Sequence, residues 1–494
     1  MGGVKASSSG SGSRRASFVI GVGLALALAL FVALVSQAQA GPPARAASGP
    51  GRTFHSAPNL HPTVVNMSSD PDTASGDIFI SPDHTSQNGP MILNSQGQLV
   101  WFLPLPSGMK ASNFAVQTYQ GKPVLTWWQG RTGGTEGEDV IMNSSYQTVA
   151  VVKAAGTGYA ADLHDFQITP QGNAFILAVV PVKANLSSMG GPSSGYVWDN
   201  VIQEINIATG KQLWSWHSYG HIPLNASHKP PSGKYFDAYH LNSIQQLSDG
   251  NLLVSSRSTW SIYKIDMKTG QIMWTLGGKY NQFKRGTGAG WAWQHDARRS
   301  GNTLTMFDDG AAPAVEQQSS AKVLSLNVPA KTVSLVRRFT HTPPLLAAAQ
   351  GSAQSLPNGD MFVGWGTEPD FSEYNSSGQQ IMTGSFPLGE TSYRAYRFPW
   401  SGQPTTPPAM AVTAGSNGSA DVWASWNGAT GVAAWQVLGG ASCTSPLSPV
   451  TKVNRYSFET EITLNTPPAC VQVQALNSQG QALAHGTSAP QSVG

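Results

Sequence analysis

Residues Tyr239 to Gly278 read YHLNSIQQLSDGNLLVSSRSTWSIYKIDMKTGQIMWTLGG and leave little choice of secondary structure. Apolar and polar residues alternate in four short runs, SIQQL, LLVSS, SIYKI and QIMWTL. The turns Ser-Asp-Gly-Asn and Asp-Met-Lys-Thr-Gly lie between paired runs. Alternation bounded by Gly, Asn and Asp is the signature of antiparallel hairpins. Four antiparallel strands in about forty residues make one blade of a propeller. A hairpin sets the start of its first strand beside the end of its second. His240 and Asn242, at the start, should therefore meet Arg257, at the end, on one open edge of the blade.

The pattern recurs. It is weakest from Gly76 to Leu105, and a second copy begins NFAVQTYQGKPVLTWW at Asn113. A third runs from His164 to Trp216, the stretch above is the fourth, a fifth begins at Gln294 and a sixth at Gly351. SYRAYRFPW, Ser392 to Trp400, ends the series. The expected fold is all-β: a six-bladed β-propeller over residues 60–400, a Pro-rich linker at 401–409, and a small immunoglobulin- or fibronectin III-like β-sandwich over 410–494. Trp423, Trp426 and Trp435 are expected to fill the core of the sandwich. The 53 glycines, 15 tryptophans and 11% charged residues suit tight turns and aromatic packing between sheets.

A formal net charge of +3 over 494 residues, with no basic run, gives no footing for nucleic acid. Arg14 and Arg15, an apolar run from Phe18 to Val35, and Ala38-Gln39-Ala40 read as a signal peptide over 1–40. The alternative is an uncleaved anchor, the one way this chain would meet a membrane. A Pro/Ala/Gly/Ser-rich linker follows at 41–59, disordered at least to residue 54. The folded part then works outside the cytoplasm, where nucleotide cofactors are scarce. There the two cysteines, Cys443 and Cys470, are expected to pair.

When the third, fourth and fifth copies are aligned on their Gly turns, His164, His240 and His295 all fall just before the first strand. First strands line the axis of a propeller, so these positions face one another at one channel mouth. A lone histidine at a strand edge is commonly a solvated loop residue; three at one register position point to a site. Asp165 and Asp296 either orient neighbouring groups or cap backbone N–H groups in turns. Three imidazoles could hold zinc, but Arg257 beside them argues for an anion rich in oxygens, such as a transferring sulfuryl or phosphoryl group. No metal and no cofactor is expected.

HDF at His164, YHLNS at Tyr239–Ser243, SSR ending at Arg257 and QHDA at Gln294–Ala297, in that order, resemble the arylsulfotransferase family of secreted β-propellers over roughly residues 60–400. The C-terminal sandwich, in place of the N-terminal β domain of established members, suggests a divergent branch. The resemblance implies transfer of sulfate from an aryl sulfate to a phenol through a sulfated histidine, without a nucleotide donor. It implies His295 as nucleophile. His240, Asn242 and Arg257 would bind the sulfuryl oxygens, and His164 would move the phenolic proton. Two other readings compete: a non-enzymatic extracellular binding propeller, and a quinoprotein-like dehydrogenase suggested by IDMKTGQIMWTLGG and INIATGKQLWSW. The sequence names neither the natural donor nor the partner of the C-terminal module.

Overall fold

A computed structural model describes residues 51–131 and 137–493. The expected signal peptide, its arginines and the first half of the linker lie outside the described residues. Within them the protein is all-β, with only three single-turn 3-10 segments. No helix among the described residues is long and apolar enough to cross a membrane.

Residues 66–398 form six sheets, antiparallel but for two short added strands, Tyr235–Phe236 and Lys284–Arg285, that pair in parallel at two of them. Sheet I contains Asp77–Asp83, Met91–Leu93, Leu99–Phe102 and, from the far end of this region, Thr391–Phe398. Sheets II to VI begin with Lys110–Tyr119, Ala160–Ile168, Leu241–Gln246, His295–Ser300 and Ser352–Ser355, each followed by three more strands in order. Asn66–Ser69 is added at the outer edge of sheet VI, beside Gln380–Ser385. The ends of the region are thus woven into each other's sheets. SYRAYRFPW is more than the end of a repeat: it is the inner strand of sheet I, paired with Asp77–Asp83.

Apolar side chains fill every gap between consecutive sheets. Phe114 and Trp127 of sheet II meet Phe79 and Trp101 of sheet I. Ile141 and Val152 of sheet II meet Ile176 and Ile205 of sheet III. Similar clusters join III to IV, IV to V and V to VI, and Phe362 and Phe371 of sheet VI meet Ile78 and Ile80 of sheet I. The inner and middle strands therefore bury both faces, while outer strands such as Thr148–Val152 and Thr332–Phe339 keep one side exposed.

Polar side chains tie the inner strands in the same sequence. Gln117 bonds the backbone at Phe166 and Ile168, at 3.0 and 2.8 Å. Gln245 spans Arg299 in the same way, at 2.9 and 2.6 Å, as does Gln354 across Arg397, at 2.9 and 2.8 Å. Gln167 accepts from the Gln246 N–H, and Asp296 accepts from the Ala353 N–H. Arg394 completes the series by donating to Asn113 at 2.7 Å. Backbone groups facing the axis would otherwise be buried without partners.

The C-terminal residues make two sheets over one core. One holds Ala409–Ala414, Ala420–Ser425 and Glu459–Leu464; the other holds Ser448–Asn454, Ala434–Gly440, Cys470–Leu476 and Ala482–Thr487. Trp426 and Trp435 sit in that core with Val422, Val437 and Val473. Trp423 does not. Val422 and Ala424 point inward, so strand alternation turns Trp423 out, where it stacks on His55 at 4.0 Å. Cys443 and Cys470 form a disulfide with Cα atoms 5.2 Å apart, as expected.

Both connecting stretches are bonded. Phe54 packs on Phe458, and Ser56 donates to Glu459 through its backbone N–H at 2.6 Å. Asn427 brackets Phe102, accepting from its N–H at 3.0 Å and donating to its carbonyl at 2.9 Å. Tyr146 of sheet II reaches the Gly428 carbonyl at 2.8 Å. A Cβ at Gly428 would lie 2.3 Å from that tyrosine ring, so only glycine permits the approach.

Candidate active site

The inner strands of sheets II to V slip register near their starts: between Ser112 and Ala115, across 162–165, between Leu241 and Ser243, and between His295 and Arg298. Such bulges re-aim side chains. His240 and Asp296 take left-handed φ values of 54° and 52° at these points. The Arg257 N–H donates to the His240 carbonyl at 2.9 Å, so the hairpin joins those two residues as its pattern implied.

The three histidines meet. One ring nitrogen from each lies within 4.8 Å of the other two. His164 and His240 approach through Nε2 at 3.0 Å, and the His164 and His295 rings are stacked with centroids 6.5 Å apart. Every Nδ1 faces a carboxylate. His164 bonds Asp162, His240 bonds Asp237 at 2.5 Å, and His295 bonds Asp309 at 2.8 Å. This orients the rings and leaves Nε2 as the working atom. Because both Nδ1 atoms face carboxylates, the facing Nε2 atoms of His164 and His240, 3.0 Å apart, would be two opposed lone pairs unless a proton lies between them.

Depth separates the three. The His295 side chain is 1% exposed, that of His164 12% and that of His240 28%. Burial, followed by the Arg257 charge, holds His295 well below its ordinary value, so it stays neutral. His164 is also lowered, chiefly by burial and against the pull of Asp162. Burial pushes the Asp162 carboxyl up, but His164 outweighs it and the carboxyl ends below its usual range. Asp237 behaves in the same way beside His240.

Arg257 donates from Nη2 to the Ala348 carbonyl at 2.7 Å and lies over the Trp293 ring, 5.1 Å from its centroid. Its Nε is buried with no partner among the described residues. Asn242 is placed differently. Its Nδ2 donates to the Gln294 carbonyl at 2.7 Å, tying sheet IV to the residue before His295. A cavity of about 230 Å³ lies against the cluster, lined by His164, His240, Asp162, Asp237, Trp198 and Asn200 among others. Trp198 stacks on Tyr235, which stacks on Tyr196, both at 5.2 Å.

A family model described as arylsulfotransferase (ASST) matches residues 115–387, more than half of the chain and all five expected site residues. The chain belongs to the arylsulfotransferase family. No curated protein matches it. Among solved structures, a Bacteroides caccae protein of unknown function is 15% identical over 65% of this chain and 98% of its own, with a TM-score of 0.40. Virginiamycin B lyase from Staphylococcus aureus is 11% identical over 66% of this chain and 98% of its own, with a TM-score of 0.34.

For this arylsulfotransferase-family chain, sequence reasoning found the histidines but not their carboxylate partners. Asp165 and Asp296 build the axis instead. Asp165 accepts from Arg298 and Arg394, both at 3.0 Å, and from the Ile244 N–H at 2.7 Å. Asp296 accepts from Arg298 at 2.8 Å and from Tyr396 at 3.1 Å. Asp162 and Asp237, two and three residues ahead of their histidines, carried a usable spacing signal; Asp309 follows the strand paired with His295 and carried none. Tyr393 was also missed. Its ring is 5.6 Å from His164, and its hydroxyl is buried without a partner among the described residues.

Proposed function

We propose that the protein is an exported aryl sulfotransferase that moves a sulfuryl group from an aryl sulfate ester to a phenol through His295. The observation that carries this is a buried, neutral imidazole whose Nε2 keeps its lone pair, met by the Gln350 N–H at 3.3 Å, near enough to an arginine with an unspent Nε to feel its charge. Family membership supports the reaction class. Nε2 of His295 attacks sulfur, the S–O(aryl) bond breaks, and the proton held between His164 and His240 goes to the leaving phenolate. In the second half the acceptor phenol attacks sulfur, the N–S bond breaks, and the phenolic proton returns to the His164–His240 pair. Atoms and charge balance across the two steps.

Arg257 holds the sulfuryl oxygens, where a preformed donor lowers the barrier without reorganising, and His240 serves as His164's partner in carrying the proton. Asn242 acts one step back, by fixing Gln294 and hence the start of the His295 strand. Trp198, on the wall of the adjacent cavity, offers a face for the aryl ring. In this reading the six sheets are the blades of a six-bladed propeller over residues 60–400, with the site at one mouth of its axis. The C-terminal sheets over 410–494 are an accessory sandwich of fibronectin III type. Residues 1–40 direct export. Incubating the protein with a chromogenic aryl sulfate tests the reaction: phenol-dependent chromophore release with ping-pong kinetics is expected, and no release with any phenol overturns it.

A further inference from the structure

We propose that His164, His240 and His295 also form a zinc site, and that zinc and a sulfuryl group are alternative occupants of it. The zinc half stands on geometry alone; the competition rests on the transfer reading above. Zinc takes imidazole nitrogen at about 2.0–2.1 Å in tetrahedral array, which sets two ligand nitrogens about 3.4 Å apart. Here one pair stands at 3.0 Å and every pair within 4.8 Å. Coordination would draw the wider-spaced nitrogens in toward one centre.

The surroundings suit a cation. Zinc-bound histidine characteristically gives its other ring N–H to a carboxylate, which fixes the ring and raises its donor strength. All three histidines have that carboxylate, in Asp162, Asp237 and Asp309. The Asp162 and Asp237 carboxylates thus back the cluster, against Arg257 and Lys229, the latter 3.5 Å from Asp237. Arg394 is answered on the axis by Asp165 and Asp296, at 3.0 and 3.6 Å. Arg257, which argued against zinc in the sequence, gives Nη2 to the Ala348 carbonyl and lies on the Trp293 face, and its charge still reaches His295. Three protein ligands leave a fourth position open toward the cavity lined by Trp198. Zinc there takes up the Nε2 lone pair of His295, so an occupied site cannot accept sulfur.

The test uses the full folded protein, stripped with a chelator and titrated with Co²⁺ and then Zn²⁺. One equivalent of Co²⁺ should give intense visible absorption of four-coordinate cobalt, and Zn²⁺ should bleach it. His240→Ala should weaken binding by about 100-fold or more, and Asp162→Asn, which keeps all three ligands, by about 10- to 100-fold. Circular dichroism establishes that both variants fold. Zinc should inhibit sulfuryl transfer in proportion to occupancy, and chelator should restore it. The site is overturned if no one-to-one binding is seen up to about millimolar metal, or if binding is unchanged in both variants. Competition is overturned if the zinc-loaded protein transfers at full rate. A protein that binds zinc one-to-one but never transfers sulfate refutes the transfer reading and leaves the site standing.

Discussion

The backbone N–H of Gln350 points at Nε2 of His295 from 3.3 Å. A donor there requires a lone pair on Nε2, so the ring proton is on Nδ1 and is given to Asp309. The buried histidine is held in the tautomer that can attack. Sheet VI, which carries no site histidine, supplies this restraint from the loop before its first strand.

Replacing His295 by Asn should abolish transfer, with a loss of about 10³-fold or more. The Asn amide can still donate to Asp309, so the fold should survive. Steady-state rates together with a thermal melt check this. A variant with full activity refutes His295 as the nucleophile.

The pH profile follows from the direction of the His295 shift. Burial and Arg257 lower it well below 6.5, so the nucleophile stays unprotonated as pH falls through that value. The donor kcat/KM should show no loss assignable to His295 between about pH 8 and 6. Stability should move the other way. Below 6.5 the unfolded histidine takes up a proton that the folded one refuses. The contribution of His295 is therefore complete above pH 6.5 and is lost as pH falls toward the folded value. Urea midpoints across this range should fall with acidification, less steeply in His295→Asn.

Arg257→Lys should cut the transfer rate by about 10²-fold, equivalent to about 3 kcal/mol of barrier. Lysine keeps the charge but loses the planar fork that serves Ala348 and the sulfuryl oxygens together. Turnover at saturating donor is the measurement.

Arg394→Met should destabilise the fold by about 3–5 kcal/mol. Arg394 is fully buried and serves Asn113, Asp165 and the Asn242 carbonyl at 2.7, 3.0 and 2.8 Å. Its loss leaves Arg298 alone against two buried carboxylates. A denaturant midpoint equal to that of the unsubstituted protein would refute the axial role.

Reduction of Cys443–Cys470, which closes a span of 27 residues, should cost the C-terminal sheets about 3–4 kcal/mol. Hydrogen exchange should rise in Cys470–Leu476 and leave the histidine cluster unaffected. Faster exchange around His295 would show that the two regions unfold together.

The strands were legible because each hairpin advertises itself locally, by alternation and a Gly turn. His164, His240 and His295 were legible because each falls just ahead of the first alternating run of its copy, 8, 10 and 6 residues before Gly172, Gly250 and Gly301. Arg394 was not: its partners Asn113, Asp165 and Asn242 lie between about 150 and 280 residues away, and no local pattern encodes that. Asn242 was found as a site residue, but the direction of its amide, toward Gln294, depends on a neighbouring sheet. Trp423 was misread as core because three nearby tryptophans suggested mass, while alternation decides which of them point inward.

Thr391–Phe398 is the last piece of the axis to be synthesised. A nascent chain that has reached residue 390 already contains every histidine of the cluster. It still lacks Arg394, the second of the two arginines on Asp165, and the strand paired with Asp77–Asp83. Sheets II to VI are complete in sequence by then, but the bonds of Arg394 to Asn113, Asp165 and the Asn242 carbonyl must wait for the final strand. Strand order thus makes the closing of sheet I the last step that a growing chain can complete.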